Sequence, residues 1–228
     1  MGPRRESRER AEGGGAIVWW GGGAFALLAV GLQLPTYDRS IVPMDEGHLA
    51  AVSMWIQNGK YLYTDLHSGI FPGIYHFTTA LFWLFGNDLV VARWAEVATN
   101  LSITLCLWGS GLRVMRPGFA AVAPLLYLAL IPVGFPVLTM FNYSSLSLGL
   151  SMLCLFFLLR SFDTGRRWDA IGLGVALALA VITKQNFGAL AFIACLVALL
   201  AWRRGSALES RGPVAVLKIG RASCRERV

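Results

Sequence analysis

The chain has 228 residues, 56% of them hydrophobic and 14% charged, with a formal net charge of +7. Soluble domains carry about 25% charged residues, and several apolar runs here reach the roughly 20-residue length that crosses a ~30 Å hydrocarbon core. The composition therefore excludes an ordinary soluble enzyme. It also excludes reading the positive charge as a nucleic-acid footprint, because the arginines cluster between apolar runs, where they set membrane orientation.

Taken in order, residues 1–15 read as a disordered cytoplasmic tail, RRESRER followed by glycines. Residues 16–34 form the first span, with Trp19 and Trp20 as interfacial anchors. A cleaved signal peptide is the rival reading, but the apolar run exceeds a usual h-region and no A-x-A site closes it. Residues 35–88 form a large outer loop holding all three histidines, His48, His67 and His76. Within it, Leu49, Val52, Met54, Trp55 and Ile56 give Asp45–Gln57 helical spacing, and Asn58-Gly59 stops that helix.

Gly69–Phe85 is apolar but interrupted by Pro72, Gly73 and His76. If it crossed the membrane, every later arginine cluster would turn outward, against the basic N-terminus. As a juxtamembrane helix on the outer leaflet it leaves Arg113, Arg116, Arg160, Arg166, Arg167, Arg203 and Arg204 inside, as the positive-inside rule requires. The remaining spans are 89–112, 118–138, 144–159, 168–183 and 187–202, so that six spans leave both ends inside. Gly and Ala along Ala170–Ala180 suit close helix packing. The fold class expected is an all-α polytopic transmembrane helix bundle.

Ile219–Val228, IGRASCRERV, looks like a translated short-read sequencing adapter and is set aside as a scar. Residues 16–218 are then expected to be the N-terminal part of a longer membrane domain. With Cys224 removed, Cys106, Cys154 and Cys195 each stand alone in an apolar run, as packing residues do.

The short outer turns at 139–143 and 184–186 fall on the same membrane face as Asp45. From spacing alone Asp45 is more often a helix N-cap than a base. Glu46 is either a polar ligand or a favourable charge in a first helical turn. His48 is a metal ligand or a solvated interfacial histidine, and Asp65 a site residue or a turn residue. Lys184, placed between two apolar spans, must lie at an interface or in a polar cavity. Snorkelling is its bland alternative, yet an outer lysine runs against the orientation bias. Arg93 raises the same question and can instead pair with Glu96 at i,i+3.

Several short motifs occur in a telling order: D-E-G-H at 45–48, Y-x-D at 63–65, F-P-G-I-Y at 71–75, L-F-G at 84–86, V-A-R-W at 91–94, N-Y-x-x-L at 142–146 and T-K-Q-N-F-G at 183–188. Their order and spacing resemble glycosyltransferases of the GT-C fold, in the family 39-like branch related to protein mannosyltransferases and the lipid A aminoarabinose transferase. The resemblance implies a polyprenyl-phosphate-linked sugar donor, a lipid, glycan or protein acceptor, and transfer at the outer membrane face with inversion. It implies Asp45 as the base that takes the acceptor proton. Lys184, with Gln185 and Asn186, would hold the donor phosphate, and Glu46, Asp65, Asn142 and Arg93 would serve as further binding residues.

A divalent cation, Mg or Mn, is expected on Asp45, Glu46 and His48. The turn Phe141-Asn142-Tyr143-Ser144 lacks the acidic residue that many members carry there. That departure weighs against metal dependence, with Asn142 able to offer only a carbonyl and His67 or Glu46 as substitutes. The expected location is a bacterial inner membrane, multi-pass, in contact with lipids and not with nucleic acid. The truncated chain alone is expected to be inactive. The competing reading is a non-catalytic membrane protein, a transporter half or an assembly scaffold. Transporters place ionisable groups mid-span in repeated halves, whereas here the acids gather in outer loops.

Overall fold

A computed structural model describes residues 3–39, 43–135 and 138–209, with side chains placed for 17–39, 45–135 and 138–204. Residues 219–228, read above as a scar, lie outside the described residues. All regular structure among the described residues is helical.

Helix α1 runs Pro3–Gln33, a π-turn covers Pro43–Gly47, and α2 spans His48–Gln57. Helix α3 is Pro72–Phe85, α4 Leu89–Val114, α5 Pro117–Ala120 and α6 Val122–Val133. The chain continues through α7 Tyr143–Thr164, α8 Arg167–Thr183 and α9 Gln185–Glu209. Three helices are long and apolar enough to cross a bilayer: α4, α7 and, over Gln185–Arg204, α9. The apolar stretches Ile17–Gln33 and Pro117–Val133 are shorter. The protein is an all-α membrane bundle with juxtamembrane helices.

Two elements differ from the expectations. Helix α1 already begins at Pro3, inside the segment expected to be irregular. Proline suits the first helical position and Arg and Glu are good helix formers, so the charged run continues the helix. Conversely, 118–138 is not one straight helix. It breaks at Ala121 between α5 and α6 and ends at Val133, where Pro132 and Gly134 stop it.

Helix α4 is the hub. It packs against α1, α5, α6 and α7, while α7 packs on α8 and both contact α9. Helices α2 and α3 form a hairpin laid on one end of this bundle. Ser53 Oγ donates to Tyr75 O at 3.3 Å, and Thr79 Oγ1 donates to Ser53 O at 3.3 Å. A core of Leu49, Val52, Ile74, Tyr75, Phe82, Ala92 and Phe141 joins the hairpin to α4 and to the turn before α7. Helix α3 has 14 residues, roughly 21 Å at 1.5 Å per residue, too short for a ~30 Å core. Its N-terminus meets the C-terminus of α8 so closely that a Cβ at Gly73 would lie 2.6 Å from Ile182 O.

Cys106, Cys154 and Cys195 are free and buried, filling the packing role expected of them. Cys154 and Cys195 join Leu158, Leu173 and Ala176 in the α7–α8–α9 core.

Candidate functional site

The hairpin end of the bundle brings together three segments distant in sequence: the π-turn, the turn before α7 and the α8–α9 junction. A cavity of about 30 Å³ there is lined by Asp45, His48, Leu49, Ile70, Ile74, Tyr75, Asn142 and Tyr143. One water-sized group needs at least ~10–15 Å³, so this niche admits a hydroxyl and not a sugar ring.

Asp45 is exposed and sits in the π-turn, two residues before the N-cap of α2. The N-cap of α2 is Gly47, and no side chain caps it. The helix-cap account of Asp45 is therefore not what the structure has. Its carboxylate joins no ion pair among the described residues.

Glu46, the next residue, is by contrast buried, at 4% exposed. It pairs with Arg93 of α4, itself 5% exposed, at 3.2 Å. Arg93 thus takes Glu46, 47 positions away, and not its helical neighbour Glu96. A buried pair of this kind anchors the π-turn to α4, and removing one partner would strand the other charge. Both residues are committed to each other, which argues against the ligand roles expected of them.

His48 is exposed, and its Nε2 lies 3.3 Å from the Tyr75 hydroxyl, which also meets Ser68 Oγ at 2.9 Å. Asp45, Glu46 and His48 do not converge, and no group of three His, Cys, Asp or Glu among the described residues could hold a metal ion. The described side chains do not assemble the site expected for a divalent cation.

Asn142 lines the cavity, but its side chain is spent on helix α7. Its Oδ1 accepts from the backbone N–H of Ser144 at 2.7 Å and of Ser145 at 3.0 Å, and its Nδ2 donates to Met140 O. The carbonyl expected to be offered to a ligand is instead the helix cap. Asp65 behaves as a turn residue: its Oδ2 accepts from Tyr61 N–H at 2.8 Å, away from the cavity lining. In the same loop Tyr63 donates to Ile70 O at 2.7 Å. Partial burial, with a smaller push from Tyr75, raises the Tyr63 phenol above its usual range, so it remains a neutral donor at pH 7.

Lys184 is the single residue between α8 and α9, in extended conformation. The reversal is that sharp because Gly188 lies against Val181, where a Cβ would run into the neighbouring backbone. Lys184 Nζ donates to Ser144 Oγ at 2.7 Å and lies 4.8 Å from the Tyr143 ring and 4.9 Å from Phe187. It is aimed at the turn that lines the Asp45 niche, and no carboxylate pairs with it among the described residues. Its charge is held by aromatic faces and one hydroxyl, contacts that leave it able to bind an anion. Gln185 and Asn186 follow in the first turn of α9 with exposed side chains.

A family model described as dolichyl-phosphate-mannose-protein mannosyltransferase matches residues 68–221. The chain belongs to that family. Its members are membrane glycosyltransferases that use lipid-linked sugar donors, which makes this a glycosyltransferase-type membrane protein of the GT-C class. No curated protein and no solved structure matches the chain. The mannosyltransferase-family match begins after α2, so Asp45, Glu46, His48 and Asp65 lie outside it, while Arg93, Asn142 and Lys184 lie within.

Sequence reasoning missed the partners that orient the site. Tyr143, Ser144 and Phe187 hold Lys184, and Tyr75 meets His48. Glu96, considered only as a mate for Arg93, is 1% exposed and accepts from Ser145 Oγ at 2.6 Å. Its signal was visible: a carboxylate two turns into a membrane-length helix calls for a buried partner.

Proposed function

We propose that the protein transfers a sugar from a polyprenyl-phosphate donor to an acceptor hydroxyl at the outer membrane face, with Asp45 as general base and Lys184 as phosphate holder. The acceptor hydroxyl enters the Asp45 niche and gives its proton to the carboxylate. The freed oxygen attacks the anomeric carbon as the carbon–oxygen bond to phosphate breaks. The leaving polyprenyl phosphate keeps the electron pair, and its anionic oxygens meet Lys184. A single displacement from the opposite side inverts the anomeric centre. Transition-state charge developing on the phosphate is met by a preplaced cation, the kind of stabilisation that lowers such barriers most.

The observation that carries this reading is the convergence of an uncommitted carboxylate and a lysine without a carboxylate partner on one turn, Asn142–Ser144. Beside them Glu46 and Arg93 neutralise each other, and these two do not. On the six-span reading with a cytoplasmic N-terminus that turn lies outside, a reading supported by the arginines of the other loops gathering at the far end. A bacterial inner membrane supplies both the donor lipid class and the outer face.

The test uses the full-length gene in membranes with a labelled polyprenyl-phosphate-sugar pool. Transfer by wild type, lost in Asp45→Asn at equal protein level, supports the base assignment. Undiminished transfer in Asp45→Asn overturns it. The orientation is read separately by thiol labelling of a cysteine placed at Lys60, expected from the outer side.

A further inference from the structure

We infer that Glu96 is a positioning residue for the transfer reaction: from inside the bundle it braces the turn that carries the Lys184-binding residues. Arg93, Glu96 and Asn100 lie at i, i+3 and i+7 on α4, one helical face, and all are buried. Each reaches a different neighbour. Arg93 takes Glu46 of the π-turn. Asn100 Nδ2 donates to Gln33 Oε1 at 2.8 Å and to Leu138 O at 3.2 Å, and Tyr127 donates to Asn100 Oδ1. Glu96 takes Ser145 of α7, 49 positions away.

The Ser145 contact is the one that reaches the site. Its hydroxyl hydrogen goes to Glu96 Oε2, while its oxygen accepts from the Asn142 backbone N–H at 3.3 Å, closing a capping box. Ser144, between them, holds Lys184 at 2.7 Å. Without Glu96 the Ser145 hydroxyl falls back on Asn142 O at 3.0 Å, a bond inside its own turn that ties it to nothing else. The other carboxyl oxygen of Glu96 is buried with no hydrogen-bond partner. Burying so polar a group at a helix interface is costly, and packing alone would be served better by leucine. The brace explains its presence. Glu96 touches neither the niche lining nor Lys184, so it acts through the turn.

The brace itself stands on the geometry; its consequence for catalysis rests on the transferase reading, and the two are tested apart. In the full-length protein in membranes, hydrogen exchange of the 139–146 segment is compared for wild type, Glu96→Gln, Glu96→Leu and Ser145→Ala. Glutamine keeps an oxygen for Ser145, so Glu96→Gln should exchange as wild type does, while Glu96→Leu and Ser145→Ala exchange about tenfold faster. The transfer assay should show kcat lowered about tenfold in those two variants with donor KM nearly unchanged, and restored in Glu96→Gln. Wild-type exchange in Ser145→Ala, or fast exchange in Glu96→Gln, overturns the brace. Faster exchange with kcat unchanged overturns the positioning role. If Glu96→Leu fails to accumulate, Ser145→Ala decides. Absence of transfer by wild type counts against the transferase reading alone, and the exchange measurements still decide the brace.

Discussion

The two ends of the bundle treat charge differently. At the end away from Asp45, both described carboxylates carry an arginine: Arg113 with Asp163, and Arg160 with Asp169 at 2.8 Å. Thr164 adds a hydrogen bond to Asp169. These pairs stitch helix ends together and leave no described carboxylate over at that end. At the Asp45 end the pairing is incomplete in a particular way. Glu46 and Arg93 neutralise each other in the interior, while Asp45 stays open and Lys184 rests on aromatic rings and a serine. Both described carboxylates at the far end take an arginine, so an open Asp45 facing the same turn as Lys184 reads as function.

Asp45 gives the largest contrast. Asp45→Asn should lower transfer by roughly 10²–10⁴, the usual span for a general base, with no loss of thermal stability, because its side chain supports no helix. Asp163→Asn, the corresponding change at the other end, should leave transfer intact in the same assay. Equal losses from the two would erase the contrast.

Removing one partner of the buried pair comes next. Arg93→Ala should destabilise the protein by about 3–5 kcal/mol, read as a lowered unfolding midpoint in detergent. The double variant Arg93→Ala with Glu46→Gln should recover part of that loss. A midpoint unmoved by Arg93→Ala would mean that the π-turn is held by other contacts.

Lys184→Ala should raise donor KM about tenfold or more, the scale of a lost charge-assisted hydrogen bond, and Lys184→Arg should fall between it and wild type. Kinetics with donor varied at fixed acceptor separate this from a change in kcat. The smallest effect belongs to the far end. Arg113→Ala should cost no more than about 1 kcal/mol, since its partner Asp163 is 53% exposed and solvent screens the pair. A larger loss would make that end more than a stitch.

The apolar runs by themselves determined the helices α4, α7, α8 and α9, because burial in lipid admits little except a self-satisfied helix. The arginine distribution predicted α3 as a juxtamembrane element, and its 14-residue length and seat on α8 agree. Residue order also gathered the D-E-G-H, N-Y and T-K-Q-N-F-G segments at one end. Sequence could not decide which member of a polar pair stays open. Asp45 and Glu46 are neighbours of like chemistry, and only the π-turn sends one outward and the other to Arg93. Asn142 and Asp65 suited a binding site equally well in sequence, yet their side chains are used up by a helix cap and a turn. Such outcomes depend on which donor lies within ~3 Å after folding, and contacts like Glu96 with Ser145, 49 positions apart, exist only once α4 and α7 have packed.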